Sequence, residues 1–362
     1  MYALTPIERL TLIALALLTA LAGVADYSAW SAVPRFALAT FALAGLAWIV
    51  SFATEQLGER FGPGVTGMMQ STLGNLPELF VVVFALQKGE LIVAQTAIVG
   101  SVFANALLVL GLVIVVGARR SSDGVMRFSR QLPRDTATLL QVTVFVIVLL
   151  GLSLGSHDPA SHHVKAISAV GAVCLLVVYV SWVVPYVRAD VAPEHGSGAG
   201  AGAHETRIGP RLPLSLAIVL LLIGGGASAF VSDWFVSALE PAIKVLSLSQ
   251  AFAGLVIVAI AGNAVENTAG LVLAYKRRSD LAISVVKNSV AQIAAFLFPA
   301  LVLISFALST TLTFALAPVY IGALALTALA LWQVTGDGHA AEFEGWALVA
   351  LYVILATLTL YE

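Results

Sequence analysis

Apolar residues fill this chain in long blocks, and the polar positions fall mostly between them. Eleven runs are long enough to cross a bilayer, at about 6–25, 35–60, 64–87, 91–117, 135–155, 164–187, 213–246, 250–277, 280–305, 311–333 and 343–361. A span needs roughly 20 apolar residues at the helical rise. Strict alternation of apolar and polar positions is absent, which argues against a transmembrane barrel. The pattern therefore predicts an all-α polytopic membrane protein of about eleven helices. The second and seventh runs are longer than a span requires, which predicts a bend in each.

Composition agrees with the pattern. Of 362 residues, 60% are hydrophobic and 10% charged, whereas a soluble domain carries about 25% charge. A net charge of −2 gives no footprint for nucleic acid. The lone cysteine, Cys174, lies inside an apolar run, so it is expected to pack inertly, with no disulfide framework. The first run is read as an uncleaved span.

Basic residues separate the loops into two classes. Alternate loops carry Arg9, Arg60, Arg119, Arg120, Arg127, Arg130, Arg134, Arg188, Arg207, Arg211, Lys276, Arg277 and Arg278. The others carry only Arg35, Lys88, Lys165 and Lys244. The positive-inside rule then puts the N-terminus in the cytoplasm and, after eleven spans, Glu362 outside. The expected location is an inner (plasma) membrane, with lipid as a partner.

Two polar segments interrupt the apolar pattern in the same way. Gly74-Asn75-Leu76-Pro77-Glu78 lies in the third run, and Gly262-Asn263-Ala264-Val265-Glu266 lies 188 residues later in the eighth. At the same offset Lys88 matches Lys276 and Ser101 matches Ser289. Five spans separate the copies, so they insert with opposite orientation, as inverted transporter repeats do. The predicted division is an extra helix at 1–30, a first five-helix repeat at 31–187, a linker at 188–212 and a second repeat at 213–362. The linker holds a Gly/Ala/Ser tract from Gly196 to Ala203, a composition that behaves as a flexible tether.

The chemistry of the motif follows from its residues. Glycine allows the helix to break, and Pro77 adds a second disruption in the first copy. Unpaired carbonyls in a membrane are tolerated only where they line a cavity or meet a ligand. Asn75 and Glu78, like Asn263 and Glu266, are three apart and share a helix face. Two carboxylates with amide, hydroxyl and backbone oxygens suit a hard cation such as Ca²⁺. Without the metal the two acids repel and lose hydration, so they bind protons. A site that holds either a metal ion or protons produces antiport. Glu78, Glu266, Asn75, Asn263, Ser101 and Ser289 are the expected cation ligands, with Glu78 and Glu266 also carrying the protons. Asn105, Asn288, Gln292, Glu55, Glu240 and Lys287 are expected around the site or at its gates. No enzyme signature is present and no resident cofactor is expected.

Segments 74–111 and 259–304 resemble the two alpha-repeats of the cation/proton exchanger (CAX) family of the Ca²⁺/cation antiporter superfamily. The resemblance rests on Gly-Asn-x-x-Glu in both, Phe84-Ala85-Leu86-Gln87-Lys88-Gly89, Gly100-Ser101 with Asn105, Ala274-Tyr275-Lys276, and Ser289 with Gln292. It implies an eleven-helix Ca²⁺/H⁺ antiporter with Glu78 and Glu266 as central ligands. Two departures stand out. Asn267 occupies the position where the family usually has His, and Lys287-Asn288-Ser289 replaces a Gly-Ser run. A fixed charge at Lys287 would favour a monovalent ion, so a Na⁺(K⁺)/H⁺ antiporter of the same fold is the close alternative. Lys287 is expected to snorkel toward the cytoplasm or to pair with a glutamate. A cation channel is the alternative from another class. A homo-oligomer is compatible with the sequence, which does not specify one.

Overall fold

A computed structural model describes residues 4–58, 60, 73–129, 131–191 and 211–362. Its helices are α1 (Pro6–Tyr27), α2 (Ala32–Gly58), α3 (Leu76–Gln87), α4 (Leu91–Arg119), α5 (Gln131–Gly155), α6 (Val164–Val191), α7 (Leu214–Leu246), α8 (Gln250–Gly262), α9 (Ala264–Tyr275), α10 (Ser279–Ser305), α11 (Pro318–Thr335) and α12 (Glu342–Leu360). Nine unbroken helices among the described residues can cross a membrane, and α8 with α9 forms a tenth as a pair bent by 57°. The third predicted run is described only from residue 73, where α3 is its apolar second half. The central part of the predicted linker, 192–210, lies outside the described residues, as does Glu59.

Local sequence explains the ends. Thr5 caps α1 and Glu8 closes a reciprocal capping box with it, satisfying two orphan N–H groups. Both long runs expected to bend are single helices, α7 even across Pro241. The second motif breaks its helix where glycine and asparagine predict it: α8 stops at Gly262, Asn263 is a turn, and α9 starts at Ala264.

The helices form a core and a flank. α4 and α10 are the most buried spans, and small residues let them approach their neighbours closely, the usual basis of helix association in lipid. A Cβ on Gly100 of α4 would lie 2.5 Å from the Leu255 Cα on α8, and one on Gly111 would lie 2.6 Å from the Gly345 carbonyl on α12. Each core helix carries a π-helical stretch at matching positions, Ala104–Val109 in α4 and Ile293–Leu297 in α10. These sit at the repeat offset to within a residue. On the flank, α2 packs along α7 more extensively than any other pair of helices, with α1 against both.

Two expectations change. Cys174 does not pack inside: it is exposed on α6 beside Val170, Val173 and Val177, on a face that meets lipid. The helical pattern also hid a small antiparallel sheet, β1 (Val125–Arg127) with β2 (His339–Ala341), pairing Met126 with Ala340. It joins the α4–α5 loop to the α11–α12 loop, one from each half of the chain. Gly124 and Gly338 have φ of +71° and +81°, which lets both loops turn within a few residues. Arg119 and Glu342 brace the junction with an ion pair of 2.7 Å.

Candidate functional site

The break at Asn263 and the start of α3 bring the two halves of the chain together. Asn75 takes the N-cap position of α3, which puts Glu78 in its first turn. Glu78 is 4% exposed, Asn263 1%, Ser101 2% and Asn105 fully buried. The Ser101 hydroxyl donates to Glu78 Oε1 at 2.6 Å. The Asn263 amide donates to the same oxygen, and to Ser101 Oγ at 3.0 Å. Asn105 Nδ2 donates to Asn263 Oδ1 at 2.8 Å and to the Ser101 carbonyl at 3.0 Å. One carboxylate, two amides and a hydroxyl from α3, α4 and the α8–α9 break thus form a single buried network.

Gly262 does more than break a helix. A Cβ there would sit 2.7 Å from Glu78 Cγ, so the second motif's glycine makes room for the first motif's acid. Nothing within either motif alone announces that contact, although the repeat as a whole implies that the two meet.

The expected amide ligation takes a different form. Asn263 turns its N–H toward Glu78 and its oxygen toward Asn105, so the donors in this arrangement stabilise the carboxylate in its charged form. A cation needs oxygen lone pairs, so the Asn263 amide must turn over for its oxygen to become a ligand. The buried oxygens Asn105 Oδ1, Asn267 Oδ1, Asn288 Oδ1 and Gln292 Oε1 accept no hydrogen bond. Each such oxygen costs about 1–3 kcal/mol if left unmade. Asn105 belongs to the Glu78 network through Ser101 and Asn263, so its open oxygen is an acceptor suited to a positive ligand there.

The remaining candidates divide. Ser289 and Gln292 are buried on α10, at 1% and 2% exposure. Glu266 lies in the first turn of α9, and its side chain is outside the described residues. Glu55 is exposed near the end of α2. Glu240 is exposed on α7 and paired with Lys244 at 2.7 Å, away from the Glu78 network. It faces Glu90, which accepts from Gln250 Nε2 at 2.9 Å. Burial pushes the Glu90 carboxyl above the usual range, Glu240 adds to the effect, and Lys244 partly offsets it. Nearby, Lys88 ties the end of α3 to α7 through Asp233 at 2.6 Å and Ser237 at 2.5 Å.

Lys287 does not snorkel. It is fully buried, and its ammonium donates to Thr335 Oγ1 at 2.5 Å, in the last turn of α11. The stem is long enough to reach water, but its helix face points at α11.

Inverted-topology membrane bundles with broken helices meeting around a buried acid are secondary transporters. The sequence profile of the sodium/calcium exchanger protein family matches residues 31–185 and 216–361, and the chain belongs to that family. It is a membrane cation exchanger, not an enzyme, and the resemblance to cation/proton exchangers drawn from the motifs holds. A vacuolar calcium ion transporter of Schizosaccharomyces pombe is 30% identical over 339 residues, covering 93% of this chain and 82% of that one. A Ca²⁺/H⁺ antiporter of Aphanothece halophytica is 27% identical over 336 residues, covering 90% of each. The solved structure of native YfkE superposes with a TM-score of 0.80 at 24% identity, covering 97% of this chain and all of that one.

Proposed function

We propose that this protein is a secondary antiporter that exchanges Ca²⁺ for H⁺, with Glu78 and Glu266 alternately binding the cation and protons. The carrying observation is the Glu78 carboxylate, buried in the first repeat yet hydrogen-bonded by Asn263 of the second. Asn75, Asn263, Ser101 and Ser289 complete the ligand set. The relatives named for calcium transport and for Ca²⁺/H⁺ antiport support the choice of ions.

In the mechanism, an arriving cation displaces the Ser101 and Asn263 donors from Glu78. The amide of Asn263 turns its oxygen inward and protons leave the carboxylates. Protonation reverses each step. Two charges of one sign cannot both persist in a low dielectric without a counter-ion, so metal and protons exclude each other. The repeats are residues 31–187 and 213–362, with 1–30 extra and 188–212 the linker. The end carrying β1 and β2 faces the cytoplasm of a plasma membrane, because the arginine-rich loops lie there.

The test is reconstitution with an internal pH probe and a panel of cations. Ca²⁺ is expected to dissipate an imposed proton gradient; dissipation by Na⁺ or K⁺ alone would replace this reading with the monovalent one. Lys287 is the observation that favours that second reading. Lys287→Met is expected to raise apparent Ca²⁺ affinity about threefold to tenfold, the scale of a partly screened charge effect of roughly 1 kcal/mol. Unchanged affinity in Ca²⁺ titrations would limit Lys287 to holding α10 against α11.

A further inference from the structure

Ser284, Asn288 and Gln292 recur every fourth residue on α10 and form one polar stripe from the β1–β2 end toward the Glu78 network. Exposure falls along it: Ser284 and Asn288 are half-buried, whereas Gln292 is 2% exposed. The Asn288 amide leans toward Ser284 Oγ at 3.4 Å, and the carbonyl oxygens of Asn288 and Gln292 accept no hydrogen bond.

Depth makes this arrangement informative. Asn288 is nine residues beyond the start of α10, about 14 Å along the axis at the helical rise. That is near the middle of a hydrocarbon layer about 30 Å thick. An asparagine is too short to snorkel out, and its buried oxygen, which no donor meets, is costly at that depth unless water or a cation reaches it. Ser284 and Asn288 are both partly exposed, so the stripe is open toward its β1–β2 end.

The other half of the molecule supplies the contrast. At the repeat offset, the counterparts of Ser284, Asn288 and Gln292 on α4 are Thr96, Gly100 and Ala104. That face is shut. The Thr96 hydroxyl turns back to the Ile92 carbonyl at 2.7 Å. A Cβ on Gly254 would overlap that hydroxyl, and Gly100 lies directly on the backbone of Leu255. Equivalent helix faces are packed dry toward the Lys88 end and polar toward the β1–β2 end. Lys287 is not itself part of the stripe: it lies about 100° round the helix from Asn288 and donates to Thr335 of α11.

We propose that Ser284, Asn288 and Gln292 line the cytoplasmic route of the transported cation, with Asn288 as a relay ligand. Its carbonyl oxygen replaces part of the hydration shell of a hard cation one turn before Gln292. The inference rests on the Glu78-centred exchange site and on the orientation proposed above.

The test uses the full-length protein carrying Cys174→Ser, with Asn288→Cys, Ser284→Cys or Val177→Cys added, in vesicles of known orientation. A membrane-impermeant cationic thiol reagent is applied to either face. Asn288→Cys and Ser284→Cys are expected to react from the cytoplasmic face, while lipid-facing Val177→Cys is not. Saturating Ca²⁺ should slow labelling of Ser284→Cys, which leaves the Asn288 oxygen in place. An Asn288→Cys that resists reagent from both faces, like Val177→Cys, would overturn the route. Labelling that no transported cation slows would overturn the relay. Slowing by Na⁺ but not Ca²⁺ would support the relay and count against the Ca²⁺ reading alone. Should the cysteine variants fail to fold, Asn288→Ser serves in their place. Its apparent Ca²⁺ affinity from the cytoplasmic face should fall about tenfold, and an unchanged affinity would refute the relay.

Discussion

Glu78→Gln is expected to abolish exchange while leaving the protein folded. Glutamine keeps the shape of the side chain and an oxygen to accept from Ser101 and Asn263, so the buried network survives. It removes the charge that binds a cation and the group that carries a proton. Truncating one member of a buried charge pair costs about 2–5 kcal/mol, which corresponds to roughly 30-fold to several thousand-fold in affinity. Ca²⁺ uptake into proteoliposomes should fall to background, while elution on size exclusion and thermal stability in detergent stay at wild-type values. Neutralising a buried acid is itself free of a stability penalty here, because a buried charge is the more expensive state. Wild-type uptake by Glu78→Gln would remove this residue from the site.

The second large effect falls on the fold. Gly100→Val is expected to prevent close packing of α4 on α8. The new Cβ alone would lie 2.5 Å from Leu255 Cα and 2.6 Å from its carbonyl oxygen. These are backbone atoms, which cannot step aside as the tip of a side chain can. Overpacking of this kind costs about 1–3 kcal/mol and sometimes more, which corresponds to a melting shift of roughly 1–4 °C for a chain of this size. Gly100→Ala should show a smaller part of the same shift. The measurement is the temperature at which the monodisperse peak is lost in detergent. A Val variant as stable as wild type would mean that the α4–α8 contact is looser than the structure shows.

Much of the architecture was legible in the apolar pattern, because a bilayer permits so few backbone solutions. The break at Asn263 was legible too, since Gly-Asn inside a run of apolar residues has few other uses. The π-helical stretches at Ala104 and Ile293 were not: their residues are ordinary helix formers, and the distortion comes from packing. The β1–β2 pair was hidden because three residues on each side carry no period. The packing of Cys174 and the snorkelling of Lys287 were misjudged for one reason. Sequence gives depth along a span but not which way its faces turn, and that depends on every neighbouring helix. Cys174 faces lipid on a peripheral helix, and Lys287 faces Thr335 on a central one.

The site was legible as a list and less so as a network. The repeat predicted that Glu78, Ser101 and Asn263 belong together, and the structure joins them within hydrogen-bond reach. It did not predict that Asn263 would offer its N–H, nor that Gly262 would touch Glu78. Amide orientation is set by the balance of charge around it, which no spacing encodes. Glu240, expected at most around the site or at a gate, is exposed and paired with Lys244.

The most direct measurement follows Ca²⁺ and H⁺ together in one set of proteoliposomes, comparing wild type with Glu78→Gln and Glu266→Gln. Both fluxes should vanish together in each variant, because one pair of carboxylates carries both ions. A proton flux that persists when Ca²⁺ transport is gone, or Ca²⁺ exchange at the wild-type rate in either variant, would contradict it.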